Sequence, residues 1–307
     1  MKKRIQFNKA FLPCAILSVL IIAFGIVSIA TRGINFSIDF KSGYIEEVQI
    51  ASNPSVESVR SALSGISGVA VKAIGSGESA AFQVRIGADE QNDEVLKSVN
   101  DALANAFTKE SLTVLKTDFI GSSLSHTLAF QSILLLAGTM LCIWAYATIR
   151  FRWDFALGAI IALIHDTLIM FSFLAIFQVE FSTTSIAAVL TIIGYSINDT
   201  VVILDRVRDN IQKLEVKKFN EVLNQSLSDT LSRSLITTIT TLFAVVSLYV
   251  FTTGSIKDFA WALIIGLLSG CYSSLFISSG FISFVRRNWK PEYGLHATTP
   301  REVSAQV

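Results

Sequence analysis

Three stretches of this sequence place ionisable side chains inside apolar runs. The first is "IIGYSINDTVVILDRVRDN", Ile192 to Asn210. Asp199 is followed there by an apolar run, Val201 to Leu204, before the openly charged Asp205, Arg206, Arg208 and Asp209. Thr191, Tyr195 and Asp199 recur every fourth position, with Asn198 beside them, so on a helix they form one polar stripe. The second stretch is "TLSRSLITTITTLF". Arg233 is followed on its face by Thr237, Thr240 and Thr241, a run of hydroxyls able to bond a neighbouring helix or hold water. The third is "GAIIALIHDTLIMF", with His165 and Asp166 near its middle. Adjacent residues point about 100° apart on a helix, so these two need not touch, and either is placed to reach a partner on the run that carries Asp199.

An ionisable group in lipid costs about 2.5–3.5 kcal/mol at a helix centre on the insertion scale and marks function by default. The chemistry these residues suit is proton transfer. An arginine favours the ionised carboxylate and desolvation opposes it, so a site balanced between the two takes up and releases protons as helices move. Histidine titrates near neutral pH. The expected pair is Asp199 with Arg233 as counter-ion, and His165 and Asp166 are further relay candidates. The plainer readings are a carboxylate hydrated from the helix end, an arginine snorkelling to the headgroups and a packing role for His165 and Asp166.

The elements that must position these groups follow from composition. The chain is 51% hydrophobic and 16% charged, against roughly 25% charged in a soluble domain. Long apolar runs alternate with one polar block, the pattern of a multi-span membrane protein with a single soluble domain. Six spans are expected, at Phe11–Ala30, Thr127–Ala147, Phe155–Phe177, Thr183–Leu204, Leu235–Phe251 and Phe259–Phe284. The first follows "MKKR" like a signal peptide, but its apolar stretch approaches full span length and no small-x-small site clearly follows, so it is expected to stay uncleaved.

Lys and Arg crowd alternate loops: Lys2, Lys3, Arg4 and Lys9; Arg150 and Arg152; Arg206 to Arg233; and Arg286, Arg287, Lys290 and Arg301. This bias puts both termini in the cytoplasm of a cytoplasmic (inner) membrane protein and exports the polar block. The expected division is a cytoplasmic N-terminus and first span over 1–30, an exported domain over 31–126, a bundle of five spans over 127–285, and a cytoplasmic tail over 286–307. Within the bundle, a connector over about 205–234 has amphipathic periodicity, is interrupted near "EVKK", and is expected to lie at the membrane face or to be a solvated linker.

The exported block reads βαββαβ. "YIEEVQI", "GVAVKAI", "AAFQVRI" and "SLTVLKTDFI" are strands, the middle two joined by a "GSGES" turn. Pro54–Ser64 and Gln91–Phe107 are helices. The order is ferredoxin-like, which names no function, and the block reads as a binding or mechanical module. Gly266 and Gly270 in "GLLSGCYSS", and Gly194, are expected to let helices approach closely. Net charge is +1, which gives no ground for a nucleic-acid partner. The three cysteines, Cys14, Cys142 and Cys271, all fall in apolar runs and no disulfide is expected. No metal-ligand spacing is present, and no cofactor is expected.

"IGYSINDTVVILDRVRDN", "ALIHDTLI", "LSRSLITTITTL" and "INFSIDFKSG" together resemble the SecF branch of the SecD/SecF family of protein-export membrane proteins, over nearly the whole chain. The last segment is similar to the family's G-x-D-F-x-G-G pattern and brings in Asp39, Phe40 and Gly43, with Ser42 standing where the first glycine of the pair is usual. The resemblance implies a six-helix half of the resistance-nodulation-division type. It implies pairing with a SecD-like subunit beside the SecYEG channel, with YajC-like and YidC-like membrane proteins as further partners. It implies use of the proton gradient to help complete movement of a precursor polypeptide across the bilayer, with Asp199 and Arg233 taking part in proton conduction. Competing readings are a proton-coupled small-molecule or lipid transporter subunit, a structural stabiliser whose charges only hold helices together, and an intramembrane protease, which lacks HExxH or a recognisable aspartate motif.

Overall fold

The computed structural model describes residues 5–74, 81–88, 91, 93–214, 216 and 218–289. The expected "GSGES" turn, the "MKKR" start and most of the C-terminal tail lie outside these residues. Among the described residues, six helices are long and apolar enough to cross a membrane: α1 (Phe11–Arg32), α5 (Ser122–Arg150), α6 (Trp153–Ile176), α7 (Thr183–Lys213), α8 (Phe219–Phe251) and the composite Gly254–Val285. The composite consists of α9 (Gly254–Tyr272), a π-helical segment Ser273–Ser278 and α10 (Ser279–Val285). Helices α6, α7 and α9 form the inside, whereas α1, α5 and α8 leave most of their apolar surface uncovered.

Between α1 and α5 come a short α2 (Ile38–Lys41) and the expected βαββαβ unit. Its elements are β1 (Gly43–Ile50), α3 (Val56–Ala62), β2 (Val69–Ile74), β3 (Ala81–Ile86), α4 (Asp93–Phe107) and β4 (Leu112–Ile120). The strands pair antiparallel in the order β2-β3-β1-β4, the ferredoxin-like arrangement. Alternation along β1 turns Tyr44, Glu46, Val48 and Ile50 inward. There Tyr44, Val48 and Ile50 join Val59, Leu63, Phe82, Val84, Val99 and Leu103 in the core.

The bundle is built on two seams of parallel helices. Along α7 and α9, Ile192 meets Gly266, Ser196 meets Gly270, and the Thr200 hydroxyl meets that of Ser274 at 2.8 Å, all at one offset of 74 positions. Along α1 and α6, Ser18 meets His165, Gly25 meets Ser172, and Ser28 donates to the Ala175 carbonyl at 3.0 Å, all at an offset of 147. Gly266 and Gly270 thus have the packing role expected of them. Gly194 does not: a side chain there would meet nothing within 4 Å, because it lies away from both neighbouring helices.

The connector differs from expectation. Rather than lying along the membrane face, it prolongs α7 to Lys213 and starts α8 at Phe219, with the break at the expected "EVKK". The two prolongations pack as an antiparallel hairpin. Their apolar faces, Val207 against Val222, Leu223 and Leu227, cover each other together with Phe7 and Phe11. Arg206 pairs with Asp229 at 2.7 Å and Asn210 donates to Ser226 at 2.9 Å. The amphipathic stripe is satisfied by protein instead of lipid.

Adding one methyl at Gly266 would bring it within 1.9 Å of Ile192 Cδ1. Isoleucine is stiff at χ1, so Gly266→Ala is expected to destabilise the chain by about 1–3 kcal/mol. Gly194→Ala is expected to be neutral or slightly stabilising. Thermal unfolding of both variants in detergent or nanodiscs checks the contrast.

A second prediction concerns Glu46, which is 2% exposed in the domain core. Asn100 donates to its Oε1 at 2.9 Å, while Glu46 Oε2 and Asn100 Oδ1 have no partner among the described residues. Burial raises the Glu46 carboxyl above its ordinary range, opposed by the bonds from Asn100 and Thr117. A proton on Oε2 would supply the missing donor. The stabilisation from neutral Glu46 is fully present below the unfolded value, about 4.3, and is lost as pH rises through the higher folded value. Glu46→Gln, which donates to Asn100 without a titration, is expected to flatten that loss, read as hydrogen exchange of β1 and α4 amides against pH.

Candidate functional site

Asp199 sits on α7 with 8% exposure and faces a cavity of about 170 Å³. The cavity is walled by Tyr195 and Asn198 from α7, by Thr237, Thr240 and Thr241 from α8, and by Gly266, Gly270 and Cys271 from α9. The seam explains why space exists there: glycines on α9 let α7 come close, and threonines on α8 leave room at its side. The cavity is large enough for several waters and carries polar groups to hold them. The hydroxyls of Thr237, Thr240 and Thr241 bond carbonyls one turn back on their own helix, so their lone pairs are left for the cavity.

Most of the expected stripe gathers at this cavity. Tyr195 and Asn198 stand at its rim, both exposed. Thr191 is not part of its wall, and its hydroxyl donates to the Ala187 carbonyl at 2.8 Å. The expected ion pair is not made. Among the described residues Arg233 forms no ion pair within 4.0 Å, although its charge acts on Asp199. The reason is direction: Arg233 stands on the exposed surface of α8, and it is its neighbour Ser234 that is buried.

His165 and Asp166 form a separate centre, and here the expectation that they need not touch is corrected. Asp166 is 0% exposed. Its Oδ1 accepts from Ser269 at 2.7 Å and stands 3.1 Å from His165 Nδ1; its Oδ2 accepts from Ser196 at 2.6 Å and Ser273 at 2.7 Å. The partner on α7 is therefore Ser196, one turn before Thr200 on the seam. The side chains bend back towards each other because this carboxylate is fully buried and gathers the donors in reach. Ser269 and Ser273 lie four positions apart on one face. Ser18, Ser196, Ser269, Ser273 and Tyr272 were missed from sequence. The signal that could have found Ser269 and Ser273 was their spacing around Gly270.

The segment after α1 fastens the ferredoxin-like domain to the bundle. Asp39 Oδ2 accepts from the Thr183 backbone N–H at 2.8 Å and from its hydroxyl at 2.9 Å. It thereby satisfies one of the free donors at the start of α7 and sits at the positive end of that helix. Phe40 stacks on Phe181 with ring centroids 5.2 Å apart, and Phe36 meets Phe181 edge-on at 5.7 Å. Backbone bonds join Ser37 to Phe181 and Phe181 to Asn35. Arg85 of β3 pairs with Glu180 at 2.7 Å, and Lys72 of β2 pairs with Asp258. Burial pushes the Glu180 carboxyl above its ordinary range, with Arg85 opposing. Gly43 has φ +140°, and a side chain there would strike the Ile86 carbonyl at 2.1 Å.

Known proteins share the fold and sequence of this chain. The model described as "Protein export membrane protein SecD/SecF, C-terminal" matches residues 98–288, and that described as "SecD/SecF GG Motif" matches residues 27–49. The chain belongs to the SecD/SecF family of protein-export membrane proteins. Its relatives include the protein translocase subunit SecF of Treponema pallidum, 32% identical over 94% of this chain and 98% of the relative. The SecF subunit of Rhodothermus marinus is 36% identical over 88% and 90% of the two chains. The crystal structure of SecDF from Thermus thermophilus, a translocon-associated membrane protein, matches with a TM-score of 0.82 at 28% identity over 93% of this chain. This chain spans 39% of that SecDF chain. It is thus a multi-pass membrane protein with the function of a SecF subunit. The relatives' names are those of a transport component, not of an enzyme.

The family's GG motif explains a local oddity. Ser42 occupies the first position of the pair with φ 58° and ψ 152°, a region that L-residues adopt only at a cost of roughly 1–3 kcal/mol. Ser42→Gly is expected to stabilise the junction by about 1 kcal/mol, the relief partly offset by glycine's entropy, and thermal unfolding reads the sign.

Proposed function

We propose that this SecF-type subunit draws on the proton gradient across the cytoplasmic membrane, and that Asp199 is the group that takes up and releases the proton. The observation that carries this reading is a nearly buried carboxylate facing a threonine-walled cavity inside the bundle, with no ion pair to fix its charge among the described residues. A paired carboxylate in that position would be held ionised. An unpaired one changes charge when water or a neighbouring cation enters or leaves. Arg233, close enough to influence Asp199 but pointing outward, acts as the movable cation in this scheme.

The partner is a SecD-type half. Support comes from the SecDF neighbour, in which this chain's counterpart makes up part of one longer chain, and from α8, whose Leu235, Ile236, Ile239 and Phe243 are uncovered. The SecDF neighbour is described as translocon-associated, which supports a working position beside a SecYEG channel, with a translocating precursor as the load and YajC-like and YidC-like proteins as accessory neighbours in this reading. The charge bias of the loops puts both termini in the cytoplasm and the ferredoxin-like domain outside. No cofactor is required in this reading.

The test uses membrane vesicles containing translocase, the partner subunit and a stalled secretory precursor. Asp199→Asn is expected to assemble normally, keep ATP-driven movement, and lose the gradient-dependent completion. Asp205→Asn, on the same helix but in an exposed pair with Arg150 at 2.8 Å, is expected to behave as wild type, since such pairs contribute roughly 0–1 kcal/mol. Full gradient-dependent completion by Asp199→Asn would overturn the reading.

A further inference from the structure

A second centre, outside the Asp199 cavity, is a closed chain of hydrogen bonds whose protons can be counted. His165 Nδ1 faces Asp166 at 3.1 Å, and His165 Nε2 faces the Ser18 hydroxyl at 2.9 Å. The Ser18 hydroxyl faces that of Tyr272 at 3.0 Å, and Tyr272 donates to the Cys14 backbone carbonyl at 2.6 Å. Four contacts therefore need four protons. Asp166 already accepts from three serines and serves as the acceptor end; the Cys14 carbonyl is an acceptor only. Ser18 and Tyr272 bring one proton each, so His165 must bring two. With a singly protonated ring, one contact is left as two lone pairs facing each other.

Charge points the same way. Asp166 is fully buried, and its one ion-pair partner among the described residues is His165. A singly protonated ring leaves the Asp166 charge hydrogen-bonded but without a counter-ion, whereas the imidazolium neutralises it. The groups facing the ring are Asp166 from α6, Ser18 and Cys14 from α1, and Tyr272 from α9, whose ring lies 5.9 Å from that of His165. From α7, Ser196 reaches the network through Asp166 and also lines the Asp199 cavity.

We propose that His165 is a proton-binding site in its own right, whose occupancy fastens α1 to α6 and α9. When the Nε2–H bond breaks, the proton passes to water and the Ser18 hydroxyl turns its own proton to Nε2. Tyr272 keeps its bond to the Cys14 carbonyl. The Ser18–Tyr272 contact then has no proton, and one of the bonds holding α1 to α9 is lost. His165 and Asp166 sit at the meeting point of both helix seams, so the proton state of one ring sets how tightly the outer α1 is held to the inner helices.

The inference stands apart from the Asp199 reading and is tested by spectroscopy on the full chain in lipid bilayers, where Asp199→Asn is expected to leave the signals in place. Of the three histidines, His126 and His296 are replaced by glutamine, which leaves His165 as the sole labelled imidazole. Nitrogen-15 NMR between about pH 5 and 8 is expected to show two protonated ring nitrogens at the acid end. Loss of the Nε2 proton on raising the pH is expected to coincide with faster hydrogen exchange in α1. In Tyr272→Phe, Ser18 is free to donate to Nε2, so the Nε2 proton is expected to be gone at a pH where wild type keeps it. A single protonated nitrogen throughout, α1 exchange indifferent to the change, or an unaltered Tyr272→Phe titration would each overturn the proposal.

Discussion

A fully buried carboxylate is the constraint around which the bundle is organised. Asp166 has no exposed surface, and every lone pair it leaves unmet is costly. Its four contacts come from α6, α7, α9 and the start of the π-helical segment. Those donors can converge only if α7 and α9 lie close and in a fixed register. The π-helical segment helps: its wider turn lets Ser273 face Asp166 while Ser274 meets Thr200. Glycine at 266 and 270 removes the bulk that would hold the helices apart. The polar hub and the glycine seam depend on each other.

From that hub two regions diverge. On one side Ser196 borders the threonine-walled cavity that holds Asp199, which has no ion pair among the described residues. On the other, His165 and Ser18 carry the network to α1. The two acidic centres are therefore different in kind. Asp166 is saturated with donors and suited to hold helices in place, while Asp199 has space around it and is suited to change.

The ferredoxin-like domain is tied to the same inner helices. Asp39 accepts from the first turn of α7, and the aromatic cluster of Phe36, Phe40 and Phe181 packs around that point. The Arg85–Glu180 and Lys72–Asp258 pairs close the junction beside it. Because α7 runs from Asp39's contact down to the Asp199 cavity and on into the hairpin, a displacement at the outer end has a rigid path to the site. That path is one continuous helix, whose far end is held by Arg206–Asp229 and Asn210–Ser226.

The sequence by itself determined the spans, the ferredoxin-like order and the family. Those rest on local signals: apolar run length, strand alternation, and motifs such as "IGYSINDTVVILD" that stay within one helix. It also put Asp199 in one stripe with Tyr195 and Asn198, and the α8 threonines in a stripe of their own, since residues four apart share a face. Only the tertiary structure decided which faces meet. Gly194 looked like Gly266 on paper but points to open space, and Arg233 looked like a counter-ion but stands on an uncovered surface. Asp39 gained its role from Thr183, distant in sequence, and the serines bonded to Asp166 gained theirs from two separate spans. Spacing along a helix fixes a side chain's direction relative to its neighbours on that helix. Rotation and register between helices are set by packing, and no run of residues carries that information alone.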